Sequence, residues 1–397
     1  MKRSADDLFQ LILLLLVLLF MPTQWTLGQL GPEAMRGAEA RRTHVAIGDV
    51  VVSLACLAWA ARTTAKREWK KVLLPPLPCW LFVGVAVLSA LHCRAVGEAV
   101  LDSPHPLKLL KHQPVREALT EIVEYTLYLL VTYTLFANLL CDSHRLKVGV
   151  YGFCAATTAV IALGVFQWFA TEPRASASVT ATFGSRNIYN GFLCMALPLM
   201  FALARHSSYN TRRWLAGAGA VGIVTLLAGL VPLTVLHDEE GDIKKQYIEW
   251  QAVLNMMEDT RENNFLLGVG TGNYQLNVGR YYGFLPNKEK MPRDSNNLYL
   301  VIGGSMGLFG LAAWIWILAH HLKLANALRR QTTDAWQRSL ATGLCGSLWA
   351  LAFINLFHAL LVRGTGLVMV LLLAMLTAMN DRGQDEQDTT GERQNFP

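Results

Sequence analysis

The stretch from Gln246 to Gly310 decides how the rest of the chain is read. It runs QYIEWQAVLNMMEDTRENNFLLGVGTGNYQ over 246–275, continues through a polar segment, and ends SNNLYLVIGGSMGLFG over 295–310. Its first part is polar, turn-rich and punctuated by glycine. Its last part is continuously apolar from Leu298 onward and long enough to enter a membrane. On either side of it the chain is mostly apolar runs. This stretch therefore reads as the place where the chain leaves the membrane, forms its longest loop and goes back in.

Composition agrees. Of 397 residues, 53% are hydrophobic and 16% charged, with a mean hydropathy of +0.31. Soluble domains carry about 25% charged residues, so the deficit, together with apolar runs of about 20 residues, places the chain among polytopic membrane proteins. The net charge of +6 comes from Lys and Arg at the ends of the apolar runs. That is a topology signal, and nothing in it is a nucleic-acid footprint. Cys56, Cys79, Cys154, Cys194 and Cys345 fall inside apolar runs, and Cys93 and Cys141 at their ends. No Cys/His spacing of a metal or haem site occurs, so neither a metal nor another cofactor is expected.

Apolar runs occupy about 9–30, 45–61, 72–91, 118–140, 148–169, 188–204, 214–236, 297–319, 339–358 and 361–379. The expected fold is all-α: a polytopic bundle of about ten transmembrane helices with one long extracytoplasmic loop. The N-terminal helices take 1–236, the loop with an amphipathic helix 237–296, the C-terminal helices 297–379, and a polar disordered tail 380–397. The apolar stretch 339–379 predicts a tight hairpin turning near Val362-Arg363-Gly364. Loops containing Lys66, Lys70, Arg145, Arg212 and Arg330 hold more cations than the alternate set. The long loop is therefore expected outside the cytoplasm.

Several residues carry candidate chemistry. Arg186 and Asn187 open the run RNIYNGFLCMALPL on the same side as the long loop, and a guanidinium there offers bidentate recognition of phosphate or carboxylate. Glu117, Glu121 and Glu124 share a helix face at i, i+4 and i+7. They read either as a solvated interfacial stripe or as partners for arginines and acceptor hydroxyls. Tyr247, Trp250, Val253, Leu254 and Met257 fall near helical spacing and predict an amphipathic helix. Gly268, Gly270 and Gly272 form a GxGxG run without the Lys-[Ser/Thr] of a P-loop or a βαβ context, so a flexible turn is expected. Asn296 and Asn297 read both as helix caps and as an anion-facing helix start.

Three blocks together resemble the O-antigen ligase and polysaccharide polymerase superfamily of membrane glycosyltransferases: Arg186-Asn187 with GFLCMALPL; Trp250-QAVLNMMED leading to LGVGTGNY at 267–274; and Asn296-Asn297-x9-Gly307-x-x-Gly310. They cover about residues 185–320. The resemblance implies transfer of a glycan from an undecaprenyl-diphosphate carrier to a glycan or lipid acceptor hydroxyl, among membrane lipids. It implies no cofactor, no metal and no nucleic-acid partner. It assigns catalysis to Asn296, Asp294 and Arg186, and substrate binding to Arg186, Asn187, Lys244, Lys245, Trp250, Arg280, Arg293 and Asn297. Arginines stabilise the diphosphate leaving group, and a base near the third block takes the acceptor proton.

The ligases carry a histidine where this chain has Asn296, and an amide is no base. Asp294, an outer-face glutamate, or a reaction with little base assistance are then the alternatives. A non-catalytic relative that binds lipid-linked glycan is the second functional class, and a small-solute transporter the third.

Overall fold

The computed structural model describes residues 5–22, 47–102, 106–170, 180–183, 186–235, 239–259, 264–282, 297–360 and 365–394. Every regular element among them is helical. In chain order these are α1 (Ala5–Phe20), α2 (Ile47–Ala65), α3 (Leu77–His92), α4 (Arg94–Asp102), α5 (Pro106–Leu109), α6 (Gln113–Thr126), α7 (Tyr133–Leu139) and α8 (Ser143–Ala170). There follow α9 (Arg186–His206), α10 (Tyr209–Val235), α11 (Glu239–Glu258), α12 (Asn264–Leu267), α13 (Tyr274–Asn277), α14 (Leu298–Gln331), α15 (Ala335–Ile354) and α16 (Thr365–Gln394). A π-helical stretch, Leu127–Thr132, joins α6 to α7.

Six spans among the described residues are long and apolar enough to cross a membrane: α2, the joined α6–α7, α8, residues 187–205 of α9, α14 and residues 365–382 of α16. The pair α3–α4, bent by 64°, makes a seventh if counted as one span. Helix boundaries differ from the hydropathy runs for local reasons. The first run, expected to reach residue 30, stops being helical at Phe20, just before Pro22. α3 starts only after Pro75 and Pro76, with Pro78 in its first turn, where a missing N–H costs nothing. The expected tight turn near Val362-Arg363-Gly364 is a wider connection: α15 ends at Ile354 and α16 begins at Thr365. Residues 361–364 themselves lie outside the described part. The polar residues assigned to a disordered tail continue α16 to Gln394, because each further helical residue adds a local hydrogen bond.

Alternating helices run in opposite directions, so the bundle has two unlike ends. One carries the 239–282 segment and the start of α14. The other carries most of the cations among the described residues. Small residues let the helices approach: Gly343 of α15 lies against Leu199 and Ala202 of α9, and Gly346 against Pro198, so these two helices are antiparallel. One buried polar chain crosses the interior. Tyr133 Oη lies 2.9 Å from His321 Nε2 and 2.6 Å from Thr377 Oγ1, while His321 Nδ1 lies 2.8 Å from the Ile317 carbonyl. That carbonyl can only accept, so Nδ1 carries the proton; in the neutral ring Nε2 accepts from Tyr133.

The decisive local feature is a break inside α14. Gly307 has φ 65° and ψ −164°, which turns the following amides away from the carbonyls of Gly304 and Ser305. Those carbonyls take other donors. Val269 N and Gly270 N donate to Gly304 O and Ser305 O, each at 3.0 Å, and Ser89 Oγ donates to Ser305 O at 2.8 Å. The two backbones touch reciprocally. A Cβ on Gly268 would sit 2.3 Å from the Ser305 carbonyl, and one on Gly307 would sit 2.3 Å from that of Leu266. The GxGxG run, expected to be a flexible turn, is a docked one.

Gly307→Ala is expected to destabilise the protein by at least about 1–3 kcal/mol, from positive-φ strain and the backbone clash. Gly279→Ala, where a Cβ meets nothing within 4 Å, should stay within about 0.5 kcal/mol. Thermal unfolding of the detergent-solubilised variants checks both, and equal melting temperatures would contradict the interlock.

Candidate functional site

The loop-bearing end of the bundle is built around the start of α14, and of the sequence-predicted residues Asn187, Trp250, Arg280 and Asn297 are described there with their side chains. The docked turn continues past Gly270. Ser89 Oγ accepts from Thr271 N at 3.1 Å, Thr271 Oγ1 donates to Ala86 O at 2.8 Å, and Asn273 Nδ2 donates to Pro114 O at 3.3 Å. Residues 268–273 thereby join the end of α3, the start of α6 and the break in α14.

Behind this turn α11 packs with its own small core of Ala252, Val253, Met256, Val269, Tyr274, Val278 and Tyr282. Its buried face is Glu249, Ala252, Val253 and Met256, at i, i+3, i+4 and i+7. The apolar face expected from the sequence is therefore rotated: Val253 is buried, Trp250 and Met257 are half-buried, and Tyr247 and Leu254 are exposed. Packing against Gly303 and Gly304 by Met257 and Met256 selects the inward face, and the aromatic count alone does not.

On the other side of α14 the connection from α15 to α16 closes in. Asn297 caps α14, accepting from Leu300 N at 3.2 Å, so the capping reading holds for this residue. The next amide, Leu298 N, donates to Asn355 O at 2.9 Å. Asn355 is fully buried, and its Oδ1 accepts from Leu360 N at 3.1 Å. Leu360 in turn lies over Gly191 of α9, where a Cβ would be 2.4 Å from its Cδ1. The register set by Gly343 and Gly346 brings Asn355 level with Asn190, one turn after Arg186. The start of α9 and the start of α14 are thus bridged by Asn355 and Leu360, residues that hydropathy hides inside one long apolar run.

Two amide atoms here are unspent. Asn190 Oδ1 and Asn355 Nδ2 are buried and have no hydrogen-bond partner among the described residues, and neither does Trp250 Nε1. Each of these neutral groups suits a hydroxyl or an ordered water as its partner.

A second polar stripe runs down α6 at the same end. Glu117 pairs with Arg116 at 3.4 Å, Glu121 accepts from the phenol of Tyr125, and Glu124 is half-buried. Below them Tyr128 donates to Asp49 of α2 at 2.9 Å. The glutamates occupy one face, where Glu117 meets a neighbouring Arg and Glu121 a tyrosine of the same helix. Asp49, which the sequence did not single out, extends the stripe because the π-helical stretch follows directly and α2 packs against it.

The remaining predicted residues divide by position. Arg186 opens α9, Asn187 is half-buried on its first turn, and Lys244 and Lys245 lie on α11; the side chains of Arg186, Lys244 and Lys245 fall outside the described part. Arg280 is exposed on the 3₁₀ turn Val278–Tyr281. Arg293, Asp294 and Asn296 lie outside the described residues. Among the described residues no group of three or more His, Cys, Asp or Glu is placed to hold a metal ion. No family model and no curated protein matches the chain.

Asn297→Ala should cost about 1 kcal/mol through loss of the cap, with Asn297→Asp close to wild type. Asn355→Ala should cost more, about 1–3 kcal/mol, since it strips a buried amide of its acceptor. Thermal unfolding ranks the three; an Asn355→Ala protein as stable as wild type would mean that the bridge carries no weight.

Proposed function

We propose that this chain is an integral-membrane glycosyltransferase of the O-antigen ligase and polysaccharide polymerase type. It moves a glycan from an undecaprenyl-diphosphate carrier to an acceptor hydroxyl at the loop-bearing end of the bundle. In this reading about ten helices cross the inner membrane, α1, α10 and α15 among them, and the 237–296 segment lies outside the cytoplasm. The observation that carries it is convergence. The three sequence blocks of the resemblance, separated by up to about 100 residues, meet at one end of the bundle: the start of α9, the α11 segment with its docked turn, and the first turns of α14.

The chemistry follows from the groups available there. Arg186 at the helix start binds the diphosphate, its charge adding to that of the free N–H groups of α9. Fixed cationic groups stabilise the charge that builds on the leaving diphosphate and need no reorganisation as it forms. The unspent amides of Asn190 and Asn355 and the indole of Trp250 are neutral donors and acceptors, the type that orients sugar hydroxyls. The acceptor proton passes to a carboxylate, with Asp294 and the α6 glutamates as the alternatives.

Purified protein, supplied with lipid-diphosphate-linked glycan and candidate acceptors, should transfer glycan without added metal. Arg186→Ala should lower the rate at least about 100-fold, while Arg213→Ala at the opposite end should leave it unchanged. Tight, Arg186-dependent binding of the lipid-linked glycan with no transfer would assign the chain to a non-catalytic relative. Neither binding nor transfer would remove the glycosyltransferase reading and leave the membrane bundle.

A further inference from the structure

The end of the bundle away from the loop contains a groove that the proposed transfer reaction does not use. α1 is tied to α2 at its first turn, where Asp6 accepts from Arg62 at 2.5 and 2.6 Å and from Lys66 at 2.7 Å. Further along it meets α8, with Leu14 against Gly149 and Leu18 against Gly152. A wedge lies between α1 and the first turns of α8, with a volume of about 680 Å³, in the size range of a small-molecule site.

The wedge is sorted by polarity. Its apolar wall is Leu15, Val148, Tyr151, Gly152 and Ala155, residues of α8 one helical turn apart with one side chain from α1. Its mouth is Ser143, His144 and Lys147, all exposed in the first turns of α8. Lys147 pairs with no carboxylate among the described residues. Instead its ammonium sits 5.3 Å from the centre of the Trp336 ring. Trp336 is itself held by an Nε1–H bond to Tyr151 Oη at 3.3 Å, so the cation is positioned from two helices. The nearby Asp142 carboxylate is spent on capping, accepting from His144 N at 2.9 Å and Arg145 N at 3.1 Å. Burial works against its ionised form, yet those two N–H groups hold its carboxyl below the usual range, so it stays charged and engaged as a cap.

We propose that this wedge binds one anionic glycerophospholipid of the surrounding membrane. Its headgroup phosphate meets Ser143, His144 and Lys147, and one acyl chain lies along Leu15, Val148, Gly152 and Ala155. Charge complementarity selects the headgroup. A zwitterionic lipid brings its own cation to a mouth already occupied by Lys147, whereas a net negative headgroup is attracted there, as basic sites at cytoplasmic helix ends attract anionic lipids. The apolar wall selects a chain-bearing ligand over a soluble phosphate.

The test uses full-length protein stripped of lipid in a non-ionic detergent and titrated with phosphatidylglycerol or phosphatidylcholine of identical chains, with bound lipid counted by native mass spectrometry. Phosphatidylglycerol should bind at least about tenfold more tightly than phosphatidylcholine, one molecule per protein, and glycerol phosphate should not displace it. Lys147→Glu should abolish the headgroup preference. Ala155→Trp, which fills the wall at an exposed position, should weaken phosphatidylglycerol binding about tenfold without changing the lipid-free melting temperature. Equal binding of the two lipids, or an unchanged preference in Lys147→Glu, would overturn the proposal, as would full binding by Ala155→Trp or displacement by glycerol phosphate. Should Lys147→Glu fail to fold, Lys147→Gln reads the same preference. The outcome is independent of glycan transfer.

Discussion

The break at Gly307 is the constraint on which the rest of this molecule depends. A backbone carbonyl in an apolar bundle must find a donor, because no water is there to supply one. Breaking α14 leaves the carbonyls of Gly304 and Ser305 without their helical amides, and three nearby donors replace them: Val269 N, Gly270 N and the Ser89 hydroxyl. The break is tolerable only with the 268–273 turn in place, and Gly268 of that turn sits directly against the broken helix. Each element makes the other's conformation stable, so the polar segment belongs to the bundle's structure.

This interlock sets the geometry at the loop-bearing end. It holds α3, α6 and α14 at one level through Ser89, Thr271 and Asn273, and it places α11 against Gly303 and Gly304. The first turn of α14 is then enclosed between the α11 segment and the α15–α16 connection. Within the Asn297-x9-Gly307-x-x-Gly310 motif, the described residues act structurally. Asn297 caps the helix, Gly307 breaks it, and Gly310 lies against Met306. Around the motif lie the start of α9, the buried amides of Asn190 and Asn355, and the carboxylate–phenol stripe of α6 and α2.

The opposite end is built on charge. Asp6, Arg62, Lys66 and Glu68 form a network that anchors α1 to α2, and Lys147 is carried by Trp336. Paired charges at a bundle end sit near water, where desolvation is least costly, and the long stems of Lys and Arg cover apolar surface while their heads stay wet. The wedge between α1 and α8 lies at this same end, with Lys147 at its mouth.

Sequence alone determined the all-helical membrane class, because about 20 apolar residues in a row leave a backbone no other way to satisfy itself in lipid. It also read a cap at Asn297 and a glycine turn at 268–272, since caps and turn glycines are local properties read from single residue types. Tertiary structure alone decided which face of α11 turns inward, that the glycine turn docks onto α14, and that Asn355 and Leu360 bridge two distant helices. Those outcomes depend on pairs far apart in the chain, separated by 216 residues in the case of Ser89 and Ser305. A periodic pattern records which residues avoid water, whereas the identity of the partner comes only from how the helices pack.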